Sequence, residues 1–570
     1  MMKKDLTNPV KKLRNDVVRR MEVENSISVK ETEINQNYLV NDKQNSLNVM
    51  LKWKEVIIPE NYIYISEYLM KEFPKWYCDS YVFINTGTGT GKTTFIEKLA
   101  QLGQYRILVL TNRKANRKQI ENHLKNSCLN GNYMLVKVLS YQELEKDIDM
   151  TSDMLDQFDF IVCDESHYFL ADSDFNSLTN LSLMKIMGTT RAIKLFMSAT
   201  NQYIQVRIVE RLKRKYKNEL LVAQKIFIYT MKNNATKIRN IFSFESFERD
   251  LLAQVIESKD KWLIFVKSIP QGKEIYNQLV KVLGESEVVF LDRESVDEGT
   301  DVQKRTFEIL IQEETFYQKV MISTCLLDNG VNLRSIQLRN IVCFDDDPVE
   351  IVQMIGRKRS IITENDYFDL YLICESNQSL AVSIGNCYTK KKKFKSVKQD
   401  IEVYKELKPV HYLNTKEGIE YRNMSHYDPY VFGYRFNYLG FSKVYTEITN
   451  LNQLRMAENP FEVKVKWVLE KVGGSIQGDI LSSNQLNAER FLHSIKGLIN
   501  KEFPYKTKKE KIFFHSLVSE HFWTWYKKEK GERADRPMGV DKLVYKFTVY
   551  QIPLQFELND NKIKIIKTKG

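Results

Sequence analysis

Short runs of β-branched and aromatic residues recur along the first two thirds of the chain, each followed by a longer stretch with helical period. Between about residues 55 and 230 the runs are YVFIN, RILVLT, MLVKVLS, FDFIVCD and AIKLFMS. Runs that are apolar throughout, rather than alternating, mark strands covered on both faces. Their interleaving with amphipathic segments predicts βαβ units on a parallel sheet. A second series, KWLIFV, EVVFLD, KVMIST, NIVCFD and FDLYLIC, lies between about 235 and 386. The pattern predicts two α/β domains in tandem, 55–232 and 233–387, with the charged stretches RLKRKYKNE and TMKNNATK near the boundary. Residues 1–54 read as a polar N-terminal extension. Residues 388–570 lack regular alternation and read as a separate accessory domain, either α+β or mostly helical.

Composition sharpens this picture in two places. The chain has 570 residues, 43% hydrophobic and 28% charged, too long for one core and too apolar for a disordered chain. The net charge is +12, yet residues 1–387 carry −1 and residues 388–570 carry +13. A neutral body with a basic appendage suggests a polyanionic partner, or protein partners, for the appendage. Seven cysteines form no CxxC pair and several sit in apolar runs, which fits reduced thiols in a cytoplasmic chain and argues against a zinc ribbon. No run approaches the ~18 apolar residues of a membrane span. A monomer working away from membranes is expected.

The chemistry begins at YVFINTGTGTGKTTFIEKLA, a strand, a glycine-rich turn and a helix start. Such a turn lets backbone N–H groups converge on phosphates. Thr88, Gly89, Thr90, Gly91, Lys92, Thr93 and Thr94 are the candidate nucleotide-binding residues, with Lys92 reaching the β- and γ-phosphates and Thr93 placing its hydroxyl on Mg²⁺. The phosphate-loop pattern has glycine at its first position, where this chain has Thr86. A second carboxylate site follows in FDFIVCDESHYF: Asp164 would hold the metal and Glu165 would orient or deprotonate a water.

Asp164-Glu165-Ser166-His167 resembles the DExH box of superfamily 2 helicases and translocases, and further motifs follow in the family's order over residues 80–360. Ser198-Ala199-Thr200 is similar to the SAT motif. RILVLTNRKANRKQ and VLSYQEL resemble strand-binding motifs, and WLIFVKS, STCLLDNGVNL and QMIGRKR resemble motifs IV, V and VI. The resemblance implies two RecA-like domains that close on Mg-ATP. It also implies Arg357 and Arg359 as arginine fingers, Gln353 as a γ-phosphate sensor, Gly330 as a nucleotide contact, and His167, Ser198 and Thr200 as coupling residues. Thr111, Arg113, Ser140 and Thr324 would lie along the nucleic-acid backbone, each with a plain structural alternative. Two departures stand out: Ser360 occupies the family's usual second-arginine position, and Asn332 stands where an acid is common. Lys358 reads as an ordinary surface charge. No glutamine occurs from Ser46 to Ala100, so the adenine-reading motif of DEAD-box RNA helicases has no candidate.

In the basic segment, Lys390, Lys391, Lys392 and Lys393 are the candidate strand contacts. The aromatics of YDPYVFGYRFNYLGFSKVY and HFWTWYKKEK read mainly as core, and His515, Glu520 and His521 as structural. The sequence thus points to an ATP- and Mg²⁺-dependent helicase or translocase, on DNA in preference to RNA. Two alternatives remain: a motor subunit of a defence, restriction or replication complex that remodels without unwinding, and a non-enzymatic nucleic-acid-binding scaffold.

Overall fold

The computed structural model describes residues 54–59, 62, 64–87, 89–112, 117, 120–122, 124–125, 134–217, 219–231, 237–324, 331–360, 365–407, 423–428, 433–472, 476–526, 537–550 and 552–568. The N-terminal extension before Lys54, together with Thr88, Arg113 and Gly330, lies outside the described residues.

Seven parallel strands build the first lobe: β1 (Lys54–Ile57), β2 (Tyr81–Thr86), β3 (Ile107–Thr111), β4 (Val136–Ser140), β5 (Phe160–Asp164), β6 (Ile193–Ser198) and β7 (Ile226–Met231). Their order is β1-β7-β2-β6-β5-β3-β4. The central strands are apolar at nearly every position because helices cover both faces, and the two sides of the sheet form separate cores around Phe83, Phe169 and Phe196 and around Val82, Phe95 and Leu195.

A second parallel sheet follows, built from β8 (Ile238–Phe244), β9 (Lys261–Phe265), β10 (Val288–Leu291), β11 (Val320–Ser323), β12 (Leu338–Cys343) and β13 (Phe368–Ile373) in the order β10-β11-β9-β12-β13-β8. Both lobes are RecA-like α/β domains. The second sheet gains a seventh strand from far along the chain, where β16 (Ile480–Leu481) pairs in parallel with β8.

The segment after residue 387 is therefore not a separate appendage. The boundary at 387/388 falls inside one helix, Asn377–Leu407. A helical arm follows. Tyr438–Met456 packs on that long helix through Phe394, Val397, Val444 and Ile448, and inserts Leu439 into the first lobe's core. Pro460–Val472 lays Phe461, Val465 and Val468 into the core of the second lobe. The short hairpin of β14 (Ser425–Asp428) and β15 (Gly433–Phe436) precedes the arm's middle helix. Residues 483–568 form a small α+β unit with its own aromatic core of Phe491, Phe514, Phe522 and Phe547. Among the described residues no helix is long and apolar enough to cross a membrane.

Candidate nucleotide cleft and nucleic-acid interface

The sheet order explains how distant motifs meet. β2, β6 and β5 are neighbours, with Asn85 opposite Ser198 and Asp164 opposite Met197. The loops after these strands hold the glycine-rich turn, the SAT triplet and the acid pair, so all three emerge side by side at the carboxyl edge of one sheet. Asn201, which the motif reading passed over, pins them: its amide donates to the carbonyls of Ile84 (3.1 Å) and Phe196 (2.8 Å), and its oxygen accepts from the Ser166 hydroxyl. A buried asparagine just beyond a motif was the only signal for it.

In the glycine-rich turn Gly89 and Gly91 have φ of +76° and +92°, the left-handed region that glycine adopts without a Cβ penalty. Thr86 is buried and gives its hydroxyl to Thr90 (2.9 Å), which in turn donates to the Gly87 carbonyl (2.9 Å). A side chain at the first pattern position is thus used to brace the turn. Lys92 Nζ lies 3.2 Å from the carbonyls of both Thr86 and Gly87. Thr93 is half-buried at the start of α1 (Lys92–Gln101), whereas Thr94 is exposed.

Glu165 takes φ +49°, an uncommon backbone for a non-glycine residue. Its Oε2 lies 3.3 Å from His167 Nδ1 but, being buried, has no hydrogen-bond partner among the described residues. Burial works against the Glu165 charge, yet Lys92 and His167 outweigh it and hold the carboxyl well below the usual range. Burial and the adjacent Glu165 charge push Asp164 up to about 7. His167 Nδ1 is 3.1 Å from the Ser198 hydroxyl, which also accepts from the Thr200 backbone (3.1 Å), so the three coupling candidates form one cluster.

The second lobe supplies the opposite wall. Gln353, on α2 (Pro348–Ile355), approaches His167 Nδ1 to 3.5 Å, crossing from one lobe to the other. Arg357 donates to the Gln353 side chain (3.0 Å), and its charge reaches Glu165. Arg359 points at the glycine-rich turn: a Cβ placed on Gly89 would lie 3.5 Å from its Nη1. Arg359 is half-buried, and burial together with Arg357 pulls its guanidinium down to about 9. Its Nη1 has no hydrogen-bond partner among the described residues. A buried guanidinium edge without a hydrogen-bond partner among the described residues, set against a left-handed glycine turn, and a buried carboxylate held by Lys92 and His167 fit an anionic ligand with a bound cation.

Asn332 has a clear task here, accepting from Arg359 Nε at 2.8 Å. A parallel bridge reinforces the pose, with Leu333 N bonded to the Arg357 carbonyl and Arg359 N to the Leu333 carbonyl, each at 2.8 Å. Lys358 is a correction. It is fully buried and pairs with both oxygens of Asp366 at 2.6 and 2.7 Å, because the bridge alternates side chains and turns it into the lobe while its neighbours face the cleft.

The nucleic-acid candidates divide. Thr111 and Ser140 are opposite each other at the carboxyl ends of β3 and β4. Thr111 Oγ1 is buried without a partner among the described residues, but the Ser140 hydroxyl caps the following helix in a capping box with Glu143, its structural alternative. Thr324 follows β11, half-buried. Of the lysine run, Lys390 pairs with Asp174 (2.8 Å) and Lys391 sits over the Tyr445 ring (3.9 Å); Lys392 and Lys393 are exposed.

Residues 77–203 match the family model of the type III restriction enzyme res subunit. No curated protein matches. Solved structures that resemble the chain include the Escherichia coli DEAH/RHA helicase HrpB, at 15% identity over 55% of this chain and 42% of that one, with a TM-score of 0.36. Mycobacterium smegmatis helicase Lhr, solved with single-stranded DNA and AMP-PNP, matches at 14% over 55% and 46%, TM-score 0.38. A DEAD box protein from Methanococcus jannaschii matches at 15% over 58% and 86%, TM-score 0.31. The aligned region thus spans less than half of the first two chains. The ordered motifs, the two RecA-like lobes and the family match across the glycine-rich turn and acid pair are together consistent with a superfamily 2 helicase or translocase.

Proposed function

We propose that the chain hydrolyses Mg-ATP between its lobes and uses the cycle to move on nucleic acid, DNA in preference to RNA. The observation that carries this reading is the approach of Arg359 to Gly89, with Gln353 meeting His167 beside it. Thr93 and Asp164 would hold the cation, and Gly89, Thr90, Gly91 and Lys92 the phosphates. Magnesium supplies charge neutralisation on the phosphates and a fixed template for in-line attack. Glu165 orients the attacking water and accepts its proton, and Arg357 and Arg359 meet negative charge developing on the transferred group. Closure brings Gln353 against His167 and so couples the second lobe to Ser198 and Thr200. Alternating closure and opening then changes the spacing of loops such as those bearing Thr111 and Thr324, which is how hydrolysis becomes stepping.

Phosphate release titrated with single-stranded DNA, duplex DNA and RNA of matched length is the test. Stimulation by DNA is expected, with Lys92→Ala losing at least about a thousandfold in turnover while keeping strand affinity within about threefold. Turnover that survives in Lys92→Ala overturns the nucleotide site, and stronger stimulation by RNA overturns the preference. The match to the res subunit of type III restriction enzymes favours a second reading, translocation without strand separation. A strand-displacement assay on the same preparations separates the two.

A further inference from the structure

The small unit at 483–568 has an order of elements that nothing in the motor reading uses. It runs helix α3 (Ser483–Ser494), strand β17 (Glu502–Pro504), helix α4 (Lys508–Trp525), helix α5 (Val540–Val549), then β18 (Leu554–Asn559) and β19 (Lys562–Lys567). The strands form an antiparallel sheet in the order β17-β19-β18, so the last strand is central and the β18–β19 ribbon projects from it. The ribbon turns at Asp560 and Asn561, both at positive φ as a tight hairpin turn demands. A helix pair followed by a two-stranded ribbon on a three-stranded sheet is the winged form of the helix-turn-helix.

The faces of the unit are divided sharply. Leu543 and Phe547 of α5 are buried, with Phe547 against Phe556 of β18 at 5.5 Å between ring centres. The outward face of the same helix exposes Val544, Tyr545 (63%) and Val549, and the ribbon exposes Leu558 (60%) near its tip. The core of fifteen buried residues closes without any of them. Exposed apolar groups are accompanied by cations: Lys506, Lys508, Lys509 and Lys511 are exposed at the start of α4, and Lys562 and Lys567 on the ribbon. Residues 483–568 carry a net +7, over half of the C-terminal surplus. The unit is mounted through its other side. Arg490 on α3 donates to the Asp250 carbonyl (2.6 Å) and to the Gln254 side chain of the second lobe, and α3 packs on β8 and β16.

We propose that this unit docks on duplex DNA, with α5 in the major groove through Tyr545 and its neighbours, the α4 lysines on the phosphate backbone, and the β18–β19 ribbon along the adjoining groove. The duplex is chosen over a single strand because the exposed rings and methyls lie on one helix face rather than in a groove that tracks a chain, and an α-helix fills the ~12 Å major groove of B-form DNA. It is chosen over RNA because the A-form major groove is too narrow for a helix. The inference deepens the motor reading by naming what the accessory region holds, but the binding itself needs no ATP chemistry.

The test uses the full chain and a fluorescein-labelled 20-base-pair DNA duplex, with single-stranded DNA and duplex RNA of the same length as comparisons. Tyr545→Glu is expected to weaken duplex DNA binding at least tenfold while leaving single-strand-stimulated ATP turnover within about twofold. The double substitution Lys508→Glu and Lys509→Glu is expected to reduce the salt slope of duplex binding by about two. Duplex affinity unchanged in both variants, or duplex RNA binding lost in parallel with duplex DNA binding, overturns the proposal. Should wild type bind duplex DNA with these sensitivities yet show no DNA-stimulated turnover, the motor reading fails and this one stands.

Discussion

The two seven-stranded sheets are alike in architecture and unlike in where their residues come from. The first is complete within residues 54–231, whereas the second takes β16 and an apolar helix from beyond residue 459. A buried lysine marks the same difference. In the first lobe Lys194 pairs with Asp79 (2.5 Å), aided by Lys225 (2.7 Å) and Tyr216. In the second, Asp346 pairs with Lys267 (2.5 Å) and with Lys464, which comes from the C-terminal arm and also donates to the carbonyls of Asp345 (2.9 Å) and Ile373 (2.7 Å). One sheet is complete within its own stretch of chain; the other is finished by a segment that composition alone assigns elsewhere.

Ending the chain at residue 387 should break the comparison most severely. It removes Lys464, the Phe461 and Val465 side chains and the strand beside β8, leaving an unpaired edge and an uncovered apolar helix. Hydrogen exchange is expected to find lobe one protected as in the full chain and lobe two unprotected; equal protection in both would contradict the shared architecture. Lys464→Met and Lys194→Met should each cost about 3 kcal/mol, since each leaves a buried carboxylate with one cation fewer. The two losses should strike different lobes, read again by exchange.

The smallest effect concerns acid. Burial works against the Asp79 charge, but Lys194, Lys225 and Tyr216 outweigh it and hold the carboxyl below its ordinary 3.8. A depressed carboxylate stabilises the fold above that value and stops doing so as pH falls through its folded value. The stability gap between wild type and Asp79→Asn should therefore hold steady above about pH 5 and narrow only as pH falls from there through values below 3.8 in thermal unfolding. A constant gap would mean that packing, not charge, accounts for the pair.

The first lobe and the cleft were legible because their signals are local. An apolar strand followed by GTGTGKT or DESH reports its own structure, since the turn needs those residues within a few positions. Asn332 and Lys358 were not legible. The first gains its role from Arg359, 27 residues on, and the second is buried because one extended turn points it inward. The C-terminal third was misdivided for a physical reason as well: its lysines and aromatics look like a separate basic domain, but Lys443 and Lys464 are spent on carbonyls and carboxylates of the two lobes.

One consequence follows from the arm's course. Its helix at Tyr438–Met456 holds the first lobe through Leu439 and through Lys443, bonded to the Ala171 carbonyl at 2.7 Å, and the next helix, beginning at Pro460, is seated in the second lobe. The described chain therefore leaves the first lobe after Met231, is back in its core at Leu439 and re-enters the second lobe at Phe461, so it ties the two together at more than one place. Ties at separate places act like the paired hinges of a door: they leave swinging about the line that joins them and resist twist or slide, so any relative movement of the lobes is held to a fixed direction.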